Sequence, residues 1–210
     1  MPKLLIWGAG GHGLAVLDCV TCTLGFAAIA FIDDSRDVPN EVYGYRVLGD
    51  RTVLQTAKDS GWTHFVIAIG ENHARAACFD LAVAFGLQPA TCVHPSAVLS
   101  PSAMIGAGTV IMPCTVLNAN CLVGKNCIVN TSAIVEHGCI IGDHVHLSSG
   151  VCLGSEVIVE DYVHIGTGSS ARPRAKIGKG AVVGAGAVII KPIPPGVTAV
   201  GVPARPLRGR

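Results

Sequence analysis

The stretch VNTSAIVEHGCIIGDHVHLSSGVCLG, residues 129–154, decides the fold. A branched aliphatic residue recurs in it at every sixth position: Val129, Val135, Ile141, Leu147 and Leu153. The same register can be followed from Val93 to Ile189, and sixteen of its seventeen positions carry valine, leucine or isoleucine. Chance periodicity in an apolar chain does not explain so regular a pattern.

A period of six residues predicts a solenoid of short strands joined by tight turns. One large aliphatic side chain in each hexad fills the axis, and a small or β-branched residue four positions later fits where the turn is crowded. Three hexads close one triangular coil, and stacked coils bury a column that no single repeat could bury alone. The register, residues 93–190, predicts about five coils.

The segment before residue 93 follows a different pattern. The strand-like runs KLLIW, AAIAFIDD and HFVIAIG alternate with stretches of helical periodicity, which predicts βαβ units and a parallel sheet. We therefore expect two domains. Residues 1–92 would form a small Rossmann-like parallel α/β domain, and residues 93–210 the solenoid with a C-terminal tail.

The stretch GAGGHG, residues 8–13, fits the pattern G-x-G-x-x-G between a predicted strand and a predicted helix. Such glycines let the backbone approach a phosphate, and a helix N-terminus favours the phosphate charge. Together with the acidic residues after the next strand, the motif alone predicts a dinucleotide site and a dehydrogenase. Residues 1–92 are too few for both halves of such a domain, so a half-domain that binds one nucleotide fits better.

Composition argues against several classes of partner. The net charge is +1 and only 14% of the 210 residues are charged, so no basic excess exists to bind nucleic acid or an anionic membrane. Glycine, proline or polar residues interrupt every apolar run that could span a bilayer. The N-terminus lacks the pattern of a signal peptide. We expect a soluble, cytoplasmic protein.

The whole chain resembles the hexapeptide-repeat sugar acyltransferases, a family that includes sialic acid O-acetyltransferase-like proteins. The resemblance rests on WGAGGHG, FIDD, IAIGEN, VNTSAIVEHGCIIGDHVHLSSG and VGVPAR, which occur in family order. Within the family, the chain is most similar to the N-acetyltransferases of nucleotide-linked 4-amino-4,6-dideoxyhexoses, of the bacillosamine-pathway and perosamine types. The resemblance implies a left-handed parallel β-helix and a homotrimer with active sites between neighbouring subunits.

The resemblance also implies that the N-terminal domain holds the nucleotide-linked amino sugar. Residues that follow three predicted strands would line this pocket: Gly10, Gly11, His12, Asp33, Asp34 and Gly70. The first three would contact the phosphates or the sugar, and the two aspartates would contact the base or the ribose. The last glycine would close the pocket.

Acyl transfer from a thioester to an amine needs a base that takes the proton of the amine, and histidine suits this task. The stretch NTSAIVEH matches the family pattern that ends in the catalytic histidine. The resemblance therefore implies His137 as the general base and Asn130 as a residue that positions the substrate. It also implies that His146 lies near the thioester of acetyl-CoA, where it would steady the thioester or polarise its carbonyl.

Acetyl-CoA is the cosubstrate that the resemblance implies. In the family it lies along the outside of the β-helix between two subunits. Besides His146, the implied contacts are backbone groups of Thr167, Ala185 and Gly186. From its C-terminal placement, Lys191 would contact a phosphate of the cosubstrate. The product would enter the synthesis of a surface polysaccharide or glycoprotein.

Gly138 departs from the family pattern, which has an acidic residue directly after the catalytic histidine. Another carboxylate would then have to orient His137, with Glu136 and Asp143 the nearest in sequence, or the enzyme works without one. An amine is a better nucleophile than an alcohol and tolerates a weaker base. The departure therefore favours N-acetylation over O-acetylation.

Several alternatives stay open. One is O-acetylation of a sialic-acid-like sugar, and others are a metal-dependent hydratase on the same scaffold or a non-catalytic assembly protein. We expect no metal, because the side chains of His144 and His146 would point to opposite faces of a strand. His146 and His164, eighteen residues apart, would stack on adjacent coils. UDP, GDP and dTDP all stay open as the carrier of the sugar.

Overall fold

The protein, described here from a computed structural model over residues 1–23 and 25–207, begins with a small α/β domain. The elements of this domain are β1 (Lys3–Trp7), α1 (Gly11–Thr23), β2 (Ala28–Ile32), β3 (Glu41–Val42), β4 (Tyr45–Arg46), a 3-10 turn (Arg51–Val53), α2 (Leu54–Asp59), β5 (His64–Ile67), α3 (Asn72–Ala84) and β6 (Gln88–Pro89). The predicted alternation of strands and helices is confirmed.

Four strands of this domain form a parallel sheet in the order β2-β1-β5-β6. The chain runs from β1 to β2 on one side of β1 and later places β5 on the other side. In open parallel sheets, ligands bind outside the carboxyl ends of the strands at such a switch point. The loops after β1 and β5 therefore frame one candidate site.

Alternate residues of β1 enter two different cores. Leu4 and Ile6 pack with α1, whereas Leu5 and Trp7 pack with α2 and α3. A sheet that is covered on both faces needs apolar residues at successive positions, which explains the uninterrupted run KLLIW. The core around α1 also includes three residues from beyond the sheet: Cys92, Val110 and Met112.

Seventeen two-residue strands follow at intervals of six residues. They are β7 (Cys92–Val93), β8 (Val98–Leu99), β9 (Met104–Ile105), β10 (Val110–Ile111), β11 (Val116–Leu117), β12 (Leu122–Val123), β13 (Ile128–Val129), β14 (Ile134–Val135), β15 (Ile140–Ile141), β16 (His146–Leu147), β17 (Cys152–Leu153), β18 (Ile158–Val159), β19 (His164–Ile165), β20 (Ser170–Ala171), β21 (Lys176–Ile177), β22 (Val182–Val183) and β23 (Val188–Ile189). The chain then forms β24 (Thr198–Val200) and β25 (Arg205–Pro206).

Each of these short strands pairs in parallel with the strand eighteen residues away, as β16 does with β13 and β19. Three stacked sheets result, and they are the faces of a triangular prism. The first face contains β13 and β16, the second face contains β14 and β17, and the third face contains β15 and β18. We call the turns at 130–132, 136–138 and 142–144, with their equivalents on other coils, the first, second and third corners.

The β-helix has about six turns rather than the five that the hexads predict. The aliphatic register ends at Ile189, and prolines interrupt the pattern beyond it. Nevertheless Ile193 pairs with Ile177, and Ala199 pairs with Val183. Backbone pairing therefore extends the stack past the point at which the repeat can be recognised in the sequence.

Corner residues with a left-handed backbone conformation, which has a positive φ, recur along the β-helix at separations that are multiples of six residues. Gly138 has a φ of 68°, and the non-glycine residues His144 and Glu156 have φ values of 57° and 58° at equivalent positions. Left-handed backbone is unfavourable for residues that carry a Cβ, whereas glycine adopts it freely. Glycine at position 138 is therefore the residue that this corner accommodates with least strain.

The N-terminal domain lies against the first face of the β-helix. The thiol of Cys19 in α1 donates to the carbonyl of Ile111 at 3.7 Å, and the guanidinium of Arg75 in α3 donates to the carbonyls of Asn126 and His144. Among the described residues, no helix combines the length and hydropathy that crossing a bilayer requires.

The two residues of β15 point in opposite directions, and a pair of matched substitutions tests which of them packs at the axis of the prism. Ile141 points into the axis and is 2% exposed, whereas the adjacent Ile140 is 45% exposed. We expect Ile141→Ala to lower the free energy of unfolding by about 2–5 kcal/mol because it leaves a cavity. Ile140→Ala should lower it by about 0.5 kcal/mol or less. Denaturant unfolding followed by circular dichroism checks this, and equal losses in the two variants would contradict the assigned direction of the side chains.

Candidate active site

The loop between β1 and α1 contains two kinds of glycine. A Cβ on Gly8 would lie 2.6 Å from the carbonyl oxygen of Ala68, and one on Gly13 would overlap the carbonyl of Gly8. These two glycines are required by packing. At Gly10 and Gly11 a Cβ would meet nothing within 4 Å, so the backbone there is open to an incoming group.

Asp33 ties the end of β2 to this loop. Its carboxylate accepts the backbone N–H of Ala9 at 2.7 Å and that of Ser35 at 2.8 Å. Each carboxylate oxygen can accept a further hydrogen bond. Asp33 therefore shapes the wall of the pocket in the structure, and its contact with a base or ribose stays a prediction.

Asp34 is held by two neighbours. The guanidinium of Arg51 contacts its carboxylate at 2.8 Å and 3.1 Å, and the indole N–H of Trp7 donates to it at 3.1 Å. Burial raises the pKa of Asp34, but the hydrogen bonds from Arg51 and Trp7 outweigh this effect, so the pKa lies below its usual value. Both aspartates line a cavity of about 210 Å³, whose other lining residues lie between positions 35 and 50.

Gly70, His12 and His146 come together at the boundary between the two domains. Nδ1 of His146 lies 3.2 Å from the carbonyl oxygen of Gly70, and the His146 ring centroid lies 6.5 Å from that of His12. His12 belongs to the first turn of α1, and Gly70 follows β5. Three residues from well-separated parts of the sequence therefore meet at the switch point of the sheet.

The pKa values of these two histidines are strongly lowered. Burial, with a smaller contribution from the charge of Arg75, lowers the pKa of His12 to about 4. Burial, the neighbouring His164 and Arg75 together lower the pKa of His146 to about 3. Both rings are therefore neutral at physiological pH, and the Nε2 atom of each is buried without a hydrogen-bond partner.

The predicted stack of His146 on His164 is confirmed. Their ring centroids lie 4.7 Å apart with an interplanar angle of 2°. Nε2 of His164 lies 3.0 Å from the hydroxyl of Ser148. His146, in a column that holds mostly aliphatic residues, contacts the carbonyl of Gly70 in the same chain.

His137 lies away from this cluster, on the second corner of the β-helix. His146 belongs to the first face, whereas His137 follows β14 at the far edge of the second face. Its side chain is 61% exposed, and its Nδ1 lies 3.6 Å from Oε2 of Glu136. The imidazole is therefore free to meet a molecule that approaches the outside of the prism.

The structure distinguishes the carboxylates that could orient His137. Asp143 lies on the third corner, where it accepts the backbone N–H of Lys125 at 2.9 Å, so it is not available to His137. Glu156 lies one coil above Gly138, but its carboxylate is 2.8 Å from Nε of Arg174. Of the three, Glu136 is the one whose carboxylate lies within 4 Å of a ring nitrogen of His137.

Asn130 lies on the first corner, where its side-chain oxygen accepts the backbone N–H of Thr131 at 2.8 Å. The residues expected at acetyl-CoA divide between two corners. Thr167, Ala185 and Gly186 share the first corner with Asn130, and the Thr167 carbonyl accepts the Gly186 N–H at 2.8 Å. Lys191 is exposed three coils above His137 on the second corner. The second face separates these corners within one chain.

Residues 1–23 and 25–207 contain no group of three or more histidine, cysteine, aspartate or glutamate side chains arranged to hold a metal. His144 is buried at a corner, where its Nδ1 lies 2.9 Å from the side-chain nitrogen of Asn126. It does not share a site with His146.

Sequence reasoning missed Arg75, which is completely buried. The buried positions of α3 recur at helical spacing and include Asn72, Arg75, Ala76 and Phe79. An arginine on the apolar side of a helix is unusual, so this periodicity is the signal that could have identified it. Asn72 also crosses to the β-helix, since its side-chain amide donates to the carbonyl of Tyr162 at 2.8 Å.

Comparison with known proteins relates this architecture to sugar acetyltransferases. Residues 3–81 match the family model of the PglD N-terminal domain. UDP-N-acetylbacillosamine N-acetyltransferase of Bacillus subtilis (strain 168) is 36% identical over 115 residues, which cover 53% of this chain and 52% of that protein. The chain thus spans about half the length of this curated relative.

Several solved structures match this chain over its full length. The acetyltransferase domain of PglB from Neisseria gonorrhoeae FA1090 is 36% identical, with a TM-score of 0.93, and 99% of this chain and 100% of that chain are covered. It has also been solved with acetyl coenzyme A. A histidine-to-alanine mutant of GDP-perosamine N-acetyltransferase from Caulobacter crescentus, in complex with CoA and GDP-perosamine, is 32% identical, with a TM-score of 0.95 and coverage of 100% and 98%.

These full-length matches confirm the predicted fold class, an α/β domain followed by a β-helix of hexapeptide repeats. Identity above 30% over whole chains also goes beyond a shared fold. The chain belongs to the hexapeptide-repeat sugar acetyltransferases that carry a PglD-type N-terminal domain.

Proposed function

We propose that this protein transfers the acetyl group of acetyl-CoA to the 4-amino group of a nucleotide-linked 4-amino-4,6-dideoxyhexose. The observation that carries the proposal is the full-length match to an enzyme solved with both CoA and GDP-perosamine. The relative from Bacillus subtilis, named for a UDP-linked sugar, supports the same substrate class. The product would enter surface polysaccharide or glycoprotein synthesis in the cytoplasm.

The nucleotide-sugar would bind to the N-terminal domain, residues 1–92. Gly10 and Gly11 leave open backbone at the start of α1, where the helix dipole favours the negative charge of a diphosphate. The structure supports this position because those two glycines have no packing role. The cavity beside Asp33 and Asp34 would receive the nucleoside, and Gly70 and His12 would face the sugar.

His137 would act as the general base. The nitrogen of the amine attacks the thioester carbonyl, the carbon–sulfur bond breaks, and CoA leaves as its thiolate. The proton that the amine loses passes to His137 and then to the departing sulfur. The exposed ring of His137 suits this task, and the carboxylate of Glu136, 3.6 Å from Nδ1, would hold the ring in one orientation.

The base and the pocket would come from different subunits of a homotrimer. Within one chain, the second face of the prism separates His137 from the first face, on which His146 meets Gly70. A neighbouring subunit would bring its second corner to this pocket. Acetyl-CoA would lie in the groove between the two chains, with Thr167, Ala185 and Gly186 on one wall and Lys191 on the other.

The reaction is tested by measuring CoA release with acetyl-CoA and a panel of UDP-, GDP- and dTDP-linked 4-amino-4,6-dideoxyhexoses. We expect turnover with one nucleotide, and His137→Ala should lower kcat by about 10²–10⁴-fold because it removes the general base. His94→Ala, at another turn of the β-helix, is the matched control and should keep wild-type kcat.

Turnover that survives His137→Ala would reject this residue as the base. Release of CoA with a sialic-acid-like hydroxyl acceptor, and with no amine in the panel, would instead support O-acetylation.

The role of Glu136 is tested by comparing it with Glu156. Glu136→Gln should lower kcat up to about fivefold, because an exposed ion pair contributes at most about 1 kcal/mol. Glu156→Gln should change kcat less than about twofold, because that carboxylate is bound to Arg174. The reverse ranking would identify Glu156 as the orienting group.

A further inference from the structure

Arg75 carries a permanent charge but has no exposed surface. All five of its N–H groups are donated to neutral acceptors in α3, in the loop before it and in two corners of the β-helix. These acceptors are the carbonyl oxygens of Ile69, Gly70, Asn126 and His144 and the side-chain oxygen of Asn72. A guanidinium offers five donors in a fixed planar arrangement. Arg75 therefore fixes the positions of both domains around it.

No carboxylate of the described chain forms an ion pair with Arg75. The nearest acidic side chain in sequence, Glu71, caps α3 by accepting the N–H groups of His73 and Ala74. A buried cation without a counter-ion is unfavourable. A buried arginine at position 75 therefore serves a purpose other than ion pairing, and the positions of its hydrogen-bond acceptors indicate that purpose.

The carbonyl of Gly70 accepts two hydrogen bonds at once. Nη1 of Arg75 lies 3.1 Å from this oxygen, and Nδ1 of His146 lies 3.2 Å from it. A carbonyl oxygen only accepts, so Nδ1 of His146 must carry the hydrogen. A neutral imidazole has one N–H, and Nε2 of His146 therefore presents a lone pair.

This lone pair has no partner in the described chain. Nε2 of His146 is buried and unpaired, as is Nε2 of the nearby His12. A buried acceptor without a donor is unfavourable, and a ligand that supplies the donor recovers that free energy. The ring of His12 is half-buried at the start of α1, and its centroid lies 6.5 Å from that of His146, so the His146 ring borders the end of the glycine-rich loop.

We propose that Arg75 is a positioning residue that holds the Gly70 carbonyl against Nδ1 of His146 and thereby makes His146 a hydrogen-bond acceptor for an N–H or O–H group of the bound sugar. The proposal deepens the function proposed above and rests on it for the identity of the substrate. It also changes the role expected for His146, because an Nε2 atom without a hydrogen cannot donate to the thioester carbonyl. His146 would orient the sugar instead.

An amine is the donor that best fits this arrangement. A neutral amino group can donate an N–H to His146 while its own lone pair remains directed at the thioester. The proton that is lost on acetylation then passes to the base on the other side. An ammonium group could also donate to His146 but would lack the free lone pair, so the amino group must be neutral when it attacks the thioester.

The tautomer can be measured directly by nitrogen NMR on the full-length protein with labelled histidine. The His146 signals are assigned by their loss in His146→Asn. At pH 7 we expect Nδ1 of His146 to carry the hydrogen and Nε2 to give the signal of an unprotonated ring nitrogen. A hydrogen on Nε2 of His146 in the wild type would overturn the proposal, and this result does not depend on any activity.

Arg75→Lys separates geometry from charge. Lysine keeps the positive charge, but its three donors sit on one atom and cannot reach acceptors on both domains. We expect His146 in this variant to lose its fixed Nδ1–H form, whereas the signals of the stacked His164 should not change because its partner is Ser148. An unchanged His146 in a folded Arg75→Lys variant would show that Arg75 does not position it.

Kinetics then test the substrate side with the nucleotide-sugar that the panel identifies. Arg75→Lys should raise KM for that sugar about tenfold, the loss of one hydrogen bond, and leave KM for acetyl-CoA unchanged. The His146 Nε2 signal of the wild type should shift on addition of the amino sugar and not on addition of acetyl-CoA. A shift with acetyl-CoA alone would assign His146 to the cosubstrate and overturn its role toward the sugar.

Discussion

The interaction on which the rest of the structure depends is the burial of one aliphatic side chain in every hexad at the axis of the prism. Because side chains alternate along each short strand, fixing the inward residue also fixes the outward residue and the corners. Ile141 and Ile140 show this alternation within a single strand. The positions of His137 on a corner and of His146 on a face follow from the same register.

The N-terminal domain makes one face of this prism different from the others. Arg75 and Asn72 cross from α3 to corners of the β-helix, and the Gly70 carbonyl links Arg75 to His146. Polar groups buried in such a joint must be satisfied by one another. The joint therefore sets both the orientation of the domain and the hydrogen-bonding state of the His146 imidazole.

The parts of the structure that could be predicted from sequence are those that repeat or that match a local pattern. The hexads predicted the β-helix, and their spacing predicted the stack of His146 on His164. The contact of His146 with Gly70 could not be predicted, since it depends on how one domain docks on the other. The role of Arg75 was missed for the same reason, because its acceptors come from three separate segments. The last turn of the β-helix was missed for another reason, since it lacks the aliphatic repeat.

In the proposed homotrimer the base of one subunit serves the pocket of its neighbour, and trimers mixed from two variants test this arrangement. Gly10→Asp would place a carboxylate at the expected diphosphate position, where a side chain has room, and His137→Ala removes the base. Each variant alone should be inactive. When the two variants are co-assembled in equal amounts, about one active site in four should be active. Half of the pockets are intact, in the His137→Ala chains, and half of those face the intact base of a Gly10→Asp chain. Mixed trimers without activity would contradict the account.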